Sequence, residues 1–212
     1  MRGMMQKDLC LLLQRSRVLV VLVGIAVLMG FSTDGSFVIG YLTMLCAILT
    51  IGTISYDEYD NGYPFLLTLP ITRKTYVSGK YLFCVLGGLA GWCISVVIFI
   101  GCSLVKGNAF SLSDLPETLA FIPVLGLIIA IMLPLQLKYG AEKSRVVIML
   151  IGGGGWALGY FGMKLLPDTQ QLSAMAANIS DRTIIVVLIA ICLAAFAASY
   201  LISLHIMEKK EF

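Results

Sequence analysis

The feature that most limits what this chain can become is the length of its stretches without Asp, Glu, Lys or Arg. Six such runs follow one another: Val18–Phe31, Phe37–Ile54, Tyr81–Val105, Leu119–Leu137, Val146–Met163 and Ile184–Ile206. Each is apolar. A helix crosses a bilayer core with about 20 apolar residues, because each residue advances about 1.5 Å. In hydrocarbon every backbone N–H and C=O needs an internal partner, so such runs are helices. The expectation is an all-α integral membrane protein with six transmembrane helices. The first run reaches spanning length only if Ser16 and Ser32–Thr33 lie near the headgroups. Composition agrees: 59% of the 212 residues are hydrophobic and 13% charged, and mean hydropathy is +0.95. Soluble domains carry about 45–50% and about 25%, which sets aside a soluble enzyme, a disordered tail and a nucleic-acid binder.

The charged residues collect between the runs, and their signs give direction. With the N-terminus in the cytoplasm, inner segments hold twelve basic residues and outer segments three, Lys106, Lys164 and Arg182. Cytoplasmic loops carry the excess of Lys and Arg. Both termini are then inside (N-in/C-in), as an even number of spans requires. Ser-Thr-Asp-Gly after Phe31 offers no small-x-small cleavage pattern for a signal peptide. Residues 1–17 place Met5, Leu9, Leu12 and Leu13 at helical spacing among charges. They read either as an interfacial helix or as a basic flank that orients the first span.

Catalytic signatures are missing. No charge falls deep within a run, which speaks against proton-coupled pumping or ion conduction. His205 is the single histidine, and none of the six cysteines (Cys10, Cys46, Cys84, Cys93, Cys102, Cys192) forms a C-x-x-C pair. No metal site is expected. Gly79-Lys80 imitates the end of a phosphate loop. Tyr81 stands where Ser or Thr is needed, however, and Lys74 where the first Gly is needed, so the Walker motif is absent.

Residues 55–80 carry the most information: SYDEYDNGYPFLLTLPITRKTYVSGK. Three carboxylates, a turn at Asn61-Gly62 and Pro64 precede four large apolar residues, Phe65, Leu66, Leu67 and Leu69, which Pro70 ends. Four such residues in an aqueous connector mark a partner surface or a dip into the membrane interface. About two helical turns from Pro64 would put Phe65 and Leu69 on one face.

Taken together, these segments resemble the permease subunits of small bacterial ABC exporters, the half-size permeases of phenol-soluble-modulin and bacteriocin-resistance type. The matching residues are Asp57-Glu58, the run Leu66, Leu69, Pro70, Ile71, Arg73 and Lys74, then Lys80-Tyr81. Further matches are Lys138, Tyr139, Gly140, Glu142, Lys143 and Arg145 in a second cytoplasmic loop (138–145), and Lys7-Asp8-Leu9 before the first span. The resemblance implies a homodimer in the bacterial cytoplasmic membrane. It implies one separate ATPase subunit per copy, which binds ATP and Mg while this chain carries no cofactor. Loop 55–80 would then supply a coupling helix: Pro64, Phe65, Leu66, Leu69 and Pro70 enter a groove on the ATPase, and Asp57 and Glu58 pair at its rim. Arg73, Lys74, Lys80, Lys138, Lys143 and Arg145 contact lipid phosphates or the ATPase.

Small residues at Gly87 and Gly91, and at Gly155 and Gly159, permit close helix approach, within one subunit or between two. Pro123 and Pro134 bracket the fourth span as hinges or as packing features. The outer segment 164–183 has Leu172, Met175, Ala176 and Ile179 at helical spacing and reads as a short external helix. Uncharged spans favour an amphipathic peptide or lipid-like substrate. A stand-alone peptide-binding immunity or sensor membrane protein is the alternative.

Overall fold

A computed structural model of the chain describes residues 2–32, 35–58, 62–63, 72–107, 115–165 and 181–210. Among these residues the regular structure is helical: α1 (Arg2–Gln14), α2 (Ser16–Ser32), α3 (Gly35–Ile51), α4 (Thr53–Glu58), α5 (Arg73–Val105), α6 (Leu115–Leu119), α7 (Phe121–Leu165) and α8 (Asp181–Lys209). Among the described residues, four segments are long and apolar enough to cross a membrane: Phe37–Glu58, Arg73–Val105, Phe121–Gly140 and Ile189–Lys209. A fifth is added if α1 and α2, bent by 66° about Arg15, count as one span. The bend coincides with a change in composition: α2 is apolar from Val18 to Phe31, whereas α1 mixes Lys7, Asp8 and Gln14 among its leucines.

The helices overrun the apolar runs at one end. The helix expected from Tyr81 begins at Arg73, where Thr72 caps it by accepting a hydrogen bond from the Thr75 N–H at 3.1 Å. At 33 residues α5 is about 50 Å long, well beyond the roughly 30 Å of hydrocarbon. Its first two turns therefore stand clear of the apolar zone.

α5 is the central element. A Cβ at Gly91 would sit 2.5 Å from the Cys46 Cβ, and one at Gly88 would sit 2.5 Å from the Leu125 Cδ1. A Cβ at Gly87 would collide with the Thr50 methyl. Glycine thus lets α5 touch α3 on one side and α7 on the other. Gly87 and Gly91 serve packing within the subunit. The core between these helices and α8 contains Ile51, Ile54, Val77, Cys84, Leu125, Ile129, Leu133, Leu137 and Met207.

α7 departs from expectation. Residues 138–145 were expected to form a loop, but helix stands on both sides of a one-residue corner at Gly140 (φ 77°, ψ 174°). Positive φ favours glycine. The Glu58 carboxylate also occupies the space that a Cβ there would need. Beyond the corner α7 has few neighbours: Met149 and Trp156 are each 75% exposed, and Gly152–Gly155 have nothing within 4 Å of a notional Cβ.

Candidate functional site

Several charged groups at the shared end of the helices are buried together rather than spread over a solvated rim. Lys80 is fully buried, and its ammonium lies 2.8 Å from both Asp8 oxygens, 2.7 Å from Asp57 Oδ2 and 3.3 Å from Thr53 Oγ1. Lys7, one-third exposed, closes the cluster by bonding Asp57 Oδ1 and lying 3.6 Å from Asp8. The Tyr76 hydroxyl donates to Asp57 Oδ2 at 2.9 Å. Two cations and two carboxylates balance, so the quartet removes no net charge from water. Its three sources are the Lys7-Asp8 pair of α1, the end of α4 and the second turn of α5. Met4 of α1 seals the same contact, with its Cε 3.3 Å from a notional Cβ at Gly79.

The quartet corrects two expectations. Lys80 cannot meet lipid phosphate, because its donors are consumed inside the protein. Nor does Asp57 face outward to an ATPase rim, since both of its oxygens are taken by Lys7, Lys80 and Tyr76. The physical reason is desolvation. A charge at the end of a span is expensive to bury alone, but an opposite charge on a neighbouring helix makes burial tolerable and fixes geometry.

A second set of contacts ties the remaining stems together. Arg73 donates to the Met207 carbonyl at 2.9 Å and to that of Glu208, placing its positive charge at the negative end of α8. Lys210 donates to the Leu137 carbonyl at 3.1 Å, and its ammonium lies 4.7 Å from the centroid of the Tyr63 ring. Burial pushes the Lys210 ammonium below its usual pKa range, against the pull of the Glu58 charge. Burial likewise raises the Tyr63 phenol, which packs edge-on against Tyr76 at 5.8 Å. The corner at Gly140, with Glu58 seated against it, joins the stem of the 55–80 segment to α7.

Pro134 lies within the α7 helix. It lacks the N–H that would bond the Ala130 carbonyl four residues earlier. The Ser199 hydroxyl of α8 supplies that bond at 2.6 Å. The one hydrogen of Ser199 is thereby used, so the Tyr81 hydroxyl donates to Ser199 at 2.6 Å and accepts from Ser203 at 2.9 Å. Pro123 falls in the first turn of α7, where no helical N–H is lost. Between α5, α7 and α8 an apolar cavity of about 490 Å³ is walled by Val85, Leu89, Leu125, Ile129, Cys192 and Phe196.

Of the other expected site residues, Lys74, Lys138, Lys143 and Arg145 are exposed, and the Lys138 ammonium lies 5.0 Å from the Tyr139 ring centroid. Pro64, Phe65, Leu66, Leu69 and Pro70 lie outside the described residues, as do 166–180 of the outer segment. Gly155 meets no neighbour. Gly159 lies in α7, and its surroundings are outside what is described. Sequence reasoning singled out neither Thr53, Tyr63, Tyr76, Ser199 nor Lys210. The available signal was complementarity: acids and bases stand at the ends of adjacent runs. No group of three or more metal-ligating side chains occurs among the described residues.

A family model described as ABC-2 family transporter protein matches residues 3–208. No curated protein and no solved structure matches the chain.

Proposed function

The chain belongs to the ABC-2 family of transporter proteins, and we propose on that premise that it is the membrane-spanning permease subunit of an ATP-driven exporter in a bacterial cytoplasmic membrane. In this reading two copies pair, each with one separate ATPase subunit that binds ATP and Mg. The 55–80 segment is the coupling element. Pro64, Phe65, Leu66, Leu69 and Pro70 enter the ATPase groove, with exposed Lys74, Lys143 and Arg145 beside them or on lipid phosphate. Six passes are supported by the alternation of helix ends. Asp57, Arg73, Leu137 and Met207 gather at the end where Lys7 also lies, and most basic residues share it. That end is the cytoplasmic one, and α1 lies in its interface.

The observation that carries the reading is the buried quartet. A coupling segment must push on something stiff. Both of its stems, α4 and the start of α5, are clamped to each other and to α1 through Lys7, Asp8, Asp57 and Lys80. Arg73 and the Glu58–Gly140 contact extend the clamp to α8 and α7. ATP-driven closure of two ATPases would move both coupling segments. The clamped stems would pass that movement to the helices, biasing a two-state equilibrium through differential affinity. The apolar cavity between α5, α7 and α8 favours an amphipathic peptide or lipid-like substrate over a hydrophilic solute.

The test is co-purification from membranes with a small Walker-type ATPase, followed by peptide-stimulated ATP hydrolysis. Phe65→Asp with Leu69→Asp should abolish the association while leaving membrane insertion intact. Retention of the ATPase by that variant would remove the coupling role.

A further inference from the structure

A second apolar groove, of about 420 Å³, lies on the other side of the subunit, between α1, the start of α2, α3 and α5. Its volume is that of pockets that hold a whole small ligand. Leu9 and Leu13 of α1, Leu49 of α3 and Leu86 and Ile94 of α5 line it, over a floor opened by Gly87 and Gly91. Leu9, Leu13, Leu86 and Ile94 are each about half exposed, so the groove is open among the described residues. Its polar lining is slight, and Thr50, one of the few hydroxyls there, already donates to the Ala47 carbonyl at 2.8 Å. α1 uses two adjacent faces: Met4 and Asp8 turn to the ionic quartet, while Met5, Leu9, Leu12 and Leu13 turn to the groove.

The rim has a definite sign. The lining runs from Leu12 and Leu13 across the 66° bend to Leu19, and the exposed Arg15 and Arg17 lie between them in the chain. The Arg15 guanidinium is steadied over the Tyr56 ring at 5.1 Å. No carboxylate is among the described lining residues, and Asp8 of α1 and Asp57 of α4 are bound to Lys80 and Lys7. An oily slot with two arginines on the connection between its α1 and α2 walls complements one molecule class: an acyl chain below a negatively charged phosphate headgroup.

We propose that this groove binds one anionic phospholipid of the inner leaflet, with an acyl chain wedged between α1 and the α3–α5 pair and its phosphate held by Arg15 and Arg17. The lipid completes the packing of α1 from the side opposite the quartet.

The experiment uses the protein as purified from membranes, with whatever subunits accompany it. It is titrated with phosphatidylglycerol or phosphatidylcholine in detergent, and retained lipid is counted by native mass spectrometry. One phosphatidylglycerol should be held well above the phosphatidylcholine background. Arg15→Gln and Arg17→Gln should each weaken phosphatidylglycerol about fivefold and leave phosphatidylcholine unchanged. Leu86→Trp, at a half-exposed position that needs no repacking, should reduce both lipids by filling the slot. Lys209→Gln, exposed on α8, which contributes no described residue to the groove, should change neither. Equal retention of the two lipids by the unaltered protein, or insensitivity to Leu86→Trp, would overturn the proposal. So would replacement of the lipid in the groove by a second copy of the chain, read as a dimer that Leu86→Trp dissociates. The readout needs no ATPase, so its failure leaves the transport reading standing, and the reverse also holds.

Discussion

Two glycine-rich regions of this subunit look alike as sequence and behave oppositely as structure. In α5, Gly87, Gly88 and Gly91 are pressed by Thr50, Leu125 and Cys46. In the distal half of α7, a Cβ added at any of Gly152–Gly155 would meet nothing within 4 Å, and the large described residues around them are exposed. The first region begins about two turns beyond Lys80 of the ionic quartet, where α3, α5 and α7 are fixed together. The second extends past the Gly140 corner with little support from the described residues. The difference teaches that small residues license close approach without naming the partner. In α5 the partner is intramolecular. In α7 that surface is open to the second permease copy that the transport reading requires.

Substitutions can break or sharpen this contrast. The largest effect is expected from Lys80→Met, which leaves Asp8 and Asp57 buried with one cation between them. It should cost about 3–5 kcal/mol of subunit stability, read as detergent-solubilised thermal unfolding. A melting point unchanged from the parent would mean the quartet does not hold the stems. Gly91→Leu comes next. It forces a side chain into the Cys46 contact and should cost about 1–3 kcal/mol by overpacking. Ser199→Ala strips the Ala130 carbonyl of its donor and should cost about 1–3 kcal/mol, with Ser199→Thr recovering most of it. Gly153→Leu is the smallest. It should move subunit stability by less than about 1 kcal/mol while lowering cross-linking between subunits. A large loss of monomer stability there would show that the two glycine regions do the same job.

Much of the helical body was legible in the sequence, because a run of apolar residues in lipid has one way to satisfy its backbone. α8 and the α3–α4 pair depart from their apolar runs by a few residues. What escaped was the fate of the charges. Lys80 adjoins a span, as Lys74 does, and the chain alone does not say which is buried. The answer depends on Asp8, 72 residues away, and Asp57, 23 residues away. The 138–145 segment looked like a loop because it is charged. Yet its residues around Gly140 are compatible with helix, and one glycine suffices to turn the corner. Pro134 read as either a hinge or a packing feature. Its lost hydrogen bond is replaced from another helix, which no local pattern could reveal. The apolar coupling residues Phe65, Leu66 and Leu69 lie outside the described residues, so the quartet at their stem is the part of the site that geometry defines.

The Ser199 bond to Ala130 has a mechanical consequence. If α8 slipped along α7 by one turn, the serine would leave and no N–H of α7 could take its place, stranding a bare carbonyl in oil at a penalty of several kcal/mol. The two helices therefore tilt or travel as a single plank, and any working stroke of the subunit must be sought in how that plank swings against its neighbours rather than in sliding between its halves.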